Sequence, residues 1–573
     1  MVDPLITICD APCLSESFSV EDLASALGKK HEVRVIPYLC SVGGLRQVDA
    51  FLRKDEKRRV LLLTGSCPTL PDLFSHLPDT IKDRISIMDL SPYRSPTVAA
   101  AHVLFHATSP RKTARRRKKI YEDAVLVIGG GVAGVQASLD LAESGKKVYL
   151  AERSVSIGGI MSQLDKTFPT LDCSICILGP KLADVGRNPD IELLTLSEIS
   201  SIEGQAGHFD VTLTLHPRYV DMSRCTGCGS CSEVCPVILP NEWDLNLKPR
   251  KCIHILFAQS IPLRATIDMD HCIKCQLCVQ ACEKDAINLE DEGGTKKIKV
   301  GAIIVAAGLD PFEAERRSSY GYGRYENVYT NIDFERIVCA SGPTGGNLIR
   351  PDGKPIKRVA FVQCVGSRDI RYNRYCSGYC CMASIKEAML IRENVPDAEI
   401  TIFFNDIRAA GKGFEELYLR AQENGIRFVK GFPTRIEENP ESRDLILRFE
   451  ETIEGTPKSE MEVDFVILAG GVEPDRHTDT LTRALGIEKD SLGFLKDRHP
   501  TWGAIETTVP GIFMAGGIQG PKDIPESVAQ ASGAAARAVA MINRLKGKSR
   551  PLSPRSSNLP ISPSPSRHEG KES

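Results

Sequence analysis

Ala124–Arg153 reads AVLVIGGGVAGVQASLDLAESGKKVYLAER. A short apolar run from Val125 breaks into glycines, a helical period takes over at Val132, and a second apolar run ends at Glu152. Gly129, Gly131 and Gly134 stand in G-x-G-x-x-G register. That order predicts strand, tight turn, helix, strand, the opening unit of a parallel α/β sheet. Glycines there let the backbone approach a pyrophosphate at the helix N-terminus, and a carboxylate ending the second strand accepts ribose hydroxyls. Because the acid is in register with the turn and helix, the segment is expected to seat a dinucleotide. Arg153 beside the acid, and Gly159 and Met161 in the next turn, are further expected contacts.

Two distant segments choose the dinucleotide. IIVAAGLDPF, with Ala307 and Gly308, resembles the second nucleotide-contact strand and turn of two-dinucleotide flavoproteins. IFMAGGIQGPKDIPESVAQASGAAARAV, with Gly516 and Gly517, resembles their final flavin-contact strand and helix. The helix N-terminus, expected near Ser527 and Val528, would set its positive dipole end against the electron-rich side of a reduced flavin. FAD is therefore expected.

Between these segments lie eight cysteines in two C-x2-C-x2-C-x3-C runs: Cys225, Cys228, Cys231, Cys235 and Cys272, Cys275, Cys278, Cys282. In that spacing three thiolates wrap one iron–sulfur cube and the fourth reaches its neighbour. The expected sets are crossed: Cys225, Cys228 and Cys231 with Cys282, and Cys272, Cys275 and Cys278 with Cys235. Zinc or free thiols are the alternative, disfavoured by the tandem repetition. Flavoprotein-type sequence resumes at Lys299, so the module reads as an insertion, tolerated at an exposed loop. Cys252 matches no ligand position.

RVAFVQCVGSRD begins a second nucleotide-type domain without the glycine fingerprint. Cys364 ends its strand instead, and Cys376, Cys380 and Cys381 follow in RYCSGYCCMASIKEA. Four thiols straddling a strand end and a helix start can close on one [4Fe-4S] cluster; an eroded NAD domain with stray cysteines is the bland alternative. Near the start, alternating strand- and helix-like pieces predict a small α/β sheet with Cys9, Cys40 and Cys67 at strand ends and Cys13 in a loop. These sulfurs either converge on another cluster or are buried apolar residues. Cys173 and Cys176 form a C-x-x-C that reads either as a redox dithiol facing a flavin or as two packed thiols.

The expected division is an N-terminal α/β cluster domain (1–110), a basic linker (111–120), a first FAD-binding part (121–220), the ferredoxin insert (221–298), a second FAD-binding part (299–355), a degenerate NAD-like cluster domain (356–470), a C-terminal FAD-binding part (471–546) and a Pro- and Ser-rich disordered tail (547–573). The 573 residues carry 72 Lys and Arg against 74 Asp and Glu, which gives no electrostatic case for nucleic acid. No apolar run reaches membrane-spanning length and no signal sequence is visible, so a cytoplasmic location is expected. Twenty cysteines without a secretion signal point to metal ligation, and to an oxygen-poor host, rather than to disulfides.

LDKTFPTLDCSICILGPK, CTGCGSCSEVCP, QCVGSRD with YCSGYCCMASIKEA, and AGGIQGPKDIPESVAQASGAAA together resemble the A-subunit family of heterodisulfide reductases, from about Ile6 to Lys546. The resemblance implies a thioredoxin-reductase-like FAD domain, an inserted two-cluster ferredoxin, a cluster held by Cys364, Cys376, Cys380 and Cys381 in place of NAD, and an N-terminal cluster on Cys9, Cys13, Cys40 and Cys67. It also implies a contact from Lys386 to the flavin's reactive nitrogen; the plain alternative is an exposed helix lysine. Two features depart from the family: DAPCLSES replaces its usual cysteine–glycine sequence, and a tail stands where many archaeal members carry another ferredoxin.

An oxidoreductase electron-transfer subunit is the expected function, converting two-electron flavin chemistry into single-electron steps, with flavin-based bifurcation as its extension. Expected partners are heterodisulfide reductase B- and C-like subunits, a hydrogenase, formate or NADH dehydrogenase-type donor, ferredoxin and a second copy of the chain. The alternative is an NAD(P)H-dependent flavoenzyme of the glutamate synthase small-subunit type.

Overall fold

The computed structural model describes residues 5–10, 19–28, 31–37, 42–54, 60–64, 85–90, 103, 121–451 and 459–547. Two units divide the chain, Met1–Lys119 and Ile120–Ser573. In the first, strands β1 (Leu5–Asp10), β2 (Val33–Pro37), β3 (Val60–Thr64) and β4 (Ile85–Asp89) form a parallel sheet in the order β2-β1-β3-β4. Helices α1 (Val20–Gly28) and α2 (Val42–Lys54) lie between strands in sequence, and Leu23 and Leu27 of α1 bury against Ile6, Ile8, Leu61 and Leu63. The expectations for Cys13, Cys40, Cys67, the basic linker and the tail from residue 548 fall outside the described residues.

The second unit opens with β5 (Val125–Ile128), α3 (Val132–Glu143), β6 (Val148–Ala151), α4 (Ser174–Arg187) and β7 (Ile191–Leu194), followed by β8 (Ser197–Gln205) and β9 (His208–Leu215). The ferredoxin-type segment holds two small antiparallel pairs, β10 (Ile238–Pro240) with β11 (Pro249–Lys251) and β12 (Ile253–His254) with β13 (Thr266–Ile267). After β14 (Gly294–Val300) and β15 (Ala302–Val305) come β16 (Leu309–Pro311), β17 (Val328–Thr330), α5 (Asn331–Val338), β18 (Arg358–Val365), α6 (Cys380–Asn394), β19 (Glu399–Phe404), α7 (Phe414–Glu423) and β20 (Arg427–Glu438). The chain ends with β21 (Leu445–Glu451), β22 (Ser459–Val463), β23 (Phe465–Gly470), β24 (Val472–Pro474), α8 (Thr478–Leu485), β25 (Ile512–Met514) and α9 (Ile524–Gly547).

Two sheets organise this unit. The first is parallel, in the order β25-β15-β5-β6-β7. Every residue of β5, β15 and β25 is buried, as strands covered on both faces require. Alanines 531, 534, 535 and 538 let α9 lie close against Ala137 and Leu141 of α3. Glu526 in the first turn of α9 and Arg544 and Lys546 in its last complement the helix dipole. The second sheet runs β17-β23-β18-β19-β20-β21-β22, parallel until β20 and antiparallel beyond it. The ribbon β16–β24 is antiparallel and crosses between the two halves.

The ladder shows where the insertion enters. β14 pairs with β9 so that Gly294 stands opposite Leu215, and everything between them is looped out of one strand pair. Sequence places the module at 221–298 because the cysteine run begins several residues past the strand end, and Lys296–Lys299 belong to the FAD-side ladder. Likewise β17 and α5 join the second sheet, although they precede residue 356.

Candidate functional site

Three segments distant in sequence meet over the end of the first sheet. A Cβ at Gly134 would lie 1.8 Å from Gly129 O, so only glycine permits α3 to start this close to β5. Gly131 caps α3 with no side-chain partner, and a Cβ there would meet nothing within 4 Å, which leaves the first turn of the helix open to an anion. The turn Gly158–Met161 folds over this one: Gly158 N donates to Gly130 O at 2.8 Å, and Gly159 passes within 2.9 Å, measured from a Cβ, of Gly131 Cα. Gly308, after β15, also faces open space. Gly516 approaches Ala133 and Ser527, Gly517 packs on Leu309, and Gly516 N donates to Gln530 Oε1 at 2.8 Å. Ala307 is half-buried beside Gly308, and Met161 is buried.

Glu152 Oε2 accepts from Gly130 N and Oε1 from Ser154 N, both at 2.6 Å, while burial raises the carboxyl above its usual range. Arg153 reaches away to Asp475 at 3.5 Å. α9 starts at Ile524, three residues before the expected point, because Asp523 and Glu526 cap each other: Glu526 N donates to Asp523 Oδ1 and Asp523 N to Glu526 Oε2. Ser527 and Val528 therefore lie one turn inside, with Ser527 Oγ turned back onto Asp523 O at 2.7 Å. The open helix start and the glycine-lined gap fit a dinucleotide.

The eight ferredoxin-type cysteines lie close together in the insert. Cys235, Cys272, Cys275 and Cys278 line one small cavity. Burial, and then Cys225, Cys228, Cys282 and Cys278, push the Cys231 thiol up to about 11. Burial also raises Cys278, with Cys272, Cys235 and Cys275 adding to the shift. Thiols that raise one another in this way are the donor type of an iron–sulfur cube, whose cationic core offsets their charge. Both runs wrap through left-handed backbone at matching positions: Gly227 and Gly229 in the first, Lys274 and Gln276 in the second. Lys274 N and Ala286 N donate to the sulfurs of Cys272 and Cys282, each at 3.4 Å. Cys252, without a role in the sequence reading, lines the same cavity and donates from Sγ to Asp268 O at 3.0 Å. Its place between β11 and β12 gave no ligand spacing by which to find it.

In the second half, Cys364 is the last residue but one of β18 and has φ +58°, where the pairing with β23 slips register. The left-handed backbone is sparsely populated for a non-glycine residue and re-aims the side chain. Cys380 and Cys381 open α6, and Gly378 N donates to Cys376 Sγ at 3.4 Å. Burial, then Cys381, Cys364 and Cys376, drives the Cys380 thiol well above its ordinary value. The four cysteines thus lie about one strand end and helix start, near enough for Cys381, Cys364 and Cys376 to act on Cys380. Cys9 is buried in β1.

Lys386 is 2% exposed, which corrects the alternative of an exposed helix lysine. Its Nζ pairs with the buried Glu335 of α5 and donates to Lys166 O at 2.9 Å. Glu335 Oε2 in turn accepts from Asp165 N at 2.9 Å, tying the loop after the flavin-side turn to α5 and α6. Burial and then the neighbouring Glu335 raise Glu387 well above the carboxylate range, where it pairs with Asn331 Nδ2. Arg336, 1% exposed, is a second tie that the sequence did not disclose. It bonds Asp244 of the insert at 2.9 Å and Gln163 O at 3.2 Å, and lies 4.4 Å over Trp243.

The model of the FAD dependent oxidoreductase family matches residues 124–169, and the 4Fe-4S binding domain model matches residues 218–237 and 265–288. The iron-sulfur A-subunit of the CoB–CoM heterodisulfide reductase of Methanocaldococcus jannaschii is 43% identical over 542 residues, covering 90% of this chain and 81% of that protein. The A-subunit of the H(2):CoB-CoM heterodisulfide,ferredoxin reductase of Methanothermobacter marburgensis is 49% identical over 430 residues, 74% of this chain and 65% of that one. Among solved structures, thioredoxin reductase of T. acidophilum aligns at a TM-score of 0.41 and 15% identity over 74% of this chain and 99% of that chain. Fold and site define an iron–sulfur flavoprotein oxidoreductase, with FAD and [4Fe-4S] clusters as cofactors. The chain belongs to the A-subunit family of heterodisulfide reductases, as an electron-transfer component. Among the described residues no helix is long and apolar enough to cross a membrane.

Proposed function

We propose that this chain is the electron distributor of a heterodisulfide reductase-like complex, with one FAD and four [4Fe-4S] clusters. When bound, FAD exchanges electrons in pairs and each cluster exchanges one, so the set divides pairs into singles. Gly129, Gly131, Gly134, Gly159, Met161, Ala307, Gly308, Gly516, Gly517, Ser527 and Val528 enclose the FAD, and Glu152 takes its ribose end, while Arg153, expected there too, turns to Asp475. Cys225, Cys228, Cys231 and Cys282 hold one cube, Cys235, Cys272, Cys275 and Cys278 a second, and Cys364, Cys376, Cys380 and Cys381 a third. Cys9, Cys13, Cys40 and Cys67 hold the fourth. Lys386, held by Glu335 and Lys166 O, is in this reading the contact to the flavin's reactive nitrogen.

One observation carries this reading. Where the first half opens a glycine turn to a nucleotide, the second half gathers four sulfurs, so electrons leave that half through a cluster and not through nicotinamide. The partners are B- and C-like subunits, a donor of the hydrogenase, formate or NADH-oxidising type, ferredoxin and a second copy of the chain; a Methanothermobacter relative is itself named as reducing heterodisulfide and ferredoxin with H(2). Bifurcation belongs to the same reading. Anaerobically purified chain should contain about sixteen irons and one FAD. Iron near eight, or bleaching of the flavin by NADH in the isolated chain, would overturn the distributor role, and two well-ordered one-electron flavin potentials would remove bifurcation.

A further inference from the structure

The loop that joins Cys364 to Cys376 carries a cation that the ligand sets leave out. Ser367 N donates to Cys364 O at 3.2 Å, and the next residue, Arg368, donates from its backbone N to Tyr375 O at 2.9 Å, one residue before Cys376. Ser367 Oγ donates to the same Tyr375 O at 2.9 Å and accepts from Ser377 N at 3.2 Å. Arg368 therefore stands between the two legs of the loop, in left-handed backbone with φ +56°. A side chain other than glycine is seldom found there, so the surrounding bonds fix the position.

The guanidinium acts on three of the four cysteines. Nη2 donates to Asp406 Oδ2 at 2.7 Å, and Asp406 O accepts from Cys381 Sγ at 3.7 Å. Nη1 is buried and has no hydrogen-bond partner among the described residues. A buried N–H of a charged group costs stability unless an acceptor takes it. Burial and then Cys381 raise the Cys364 thiol, and Arg368 pulls it back; Asp406, and after it Cys364 and Cys376, keep Arg368 charged. Burial raises Cys381 as well, against the pull of Arg368 and Arg408. The remaining charges of the loop are engaged elsewhere: Asp369 pairs with Arg371 and Arg317.

We infer that Arg368 sets the potential of the cluster held by Cys364, Cys376, Cys380 and Cys381, by donating its buried Nη1–H to a sulfur of that cluster and by fixing a positive charge beside it. The inference rests on the cluster seat proposed above. Uptake of one electron adds one negative charge to a cluster, and a fixed cation in a buried place favours that reduced state. Hydrogen bonds to the sulfurs act in the same direction. With Arg368 in place the second half accepts a single electron more readily.

The test is an anaerobic redox titration of the holoprotein read by electron paramagnetic resonance, with the signal of this cluster identified as the one missing from Cys380→Ala. In Arg368→Met the reduced-to-oxidised ratio of that signal at a fixed potential should fall about tenfold, or about 59 mV for one electron. Iron and FAD contents and the other signals should hold. Arg368→Lys, which keeps the charge, should recover part of the shift, and Arg371→Met, on the exposed side of the same loop, should cause none. An unmoved potential in Arg368→Met overturns the inference alone and leaves Arg368 as a partner of Asp406; an equal shift in Arg371→Met overturns it too. Should Arg368→Met shed about four irons, Arg368→Gln against Arg368→Lys decides: a lower potential in Arg368→Gln supports the inference, and equal potentials overturn it. Full iron in Cys380→Ala, with no signal missing, overturns the cluster seat itself, and the inference with it.

Discussion

The two α/β halves of the larger unit share a device and put it to opposite chemical ends. In each, a buried parallel strand stops short of a helix start, β5 before α3 and β18 before α6. The first half removes side chains at that junction, so that backbone N–H groups face an anion. The second adds sulfur, with Cys364 turned by left-handed backbone and Cys380 and Cys381 on the opening turn. The same positive helix end that attracts a phosphate also favours a thiolate. A nucleotide site can thus become a cluster site by exchanging glycines for cysteines while the sheet stays unchanged.

The contrast breaks first, and most severely, at Gly134. Gly134→Val drives a side chain into Gly129 O, a clash worth more than about 3 kcal/mol, so flavin occupancy should fall about a hundredfold, read by absorbance of purified protein. Full flavin in that variant would mean the fingerprint is not the seat. Lys386→Met tests the seam between the halves: stranding Glu335 without its partner should destabilise the protein by about 3–5 kcal/mol in denaturant unfolding. Glu335→Leu added to it should recover part of that loss. Cys380→Ala sharpens the difference, removing about four irons while FAD content and its spectrum hold.

The smallest effect is one of pH on cluster-free protein. Burial and close sulfurs raise Cys231 and Cys364 from 9.0 to about 11. Their folded forms keep protons that the unfolded chain releases, so this contribution to stability is complete below about pH 9 and is lost as pH rises towards 11. Cluster-loaded protein, with its sulfurs already deprotonated, should show no such window in thermal melts at pH 8 and 10.5.

What the sequence discloses is what short spacing encodes. The glycine turn, the two cysteine runs and the missing fingerprint before Cys364 are local patterns, and each falls where its spacing implies. Long-range placement is not readable in the same way. Lys386 lies on a helix buried from Cys380 to Ala388, and no residue near it in sequence announces Glu335 across the fold. Cys252 acquires its place beside the second cysteine set only when β12 pairs with β13. The edge of the insertion shifts for a similar reason: a cysteine is conspicuous, whereas the pairing of Leu215 with Gly294 is not.

Arg336 bears on how electrons travel. A module hung from one strand pair is built like a pendulum, and a pendulum would ferry charge by swinging between stations. Held by Asp244 on one side and by the nucleotide loop on the other, this one is latched. Its iron centres are then fixed stepping stones, and whatever receives their electrons must come to them.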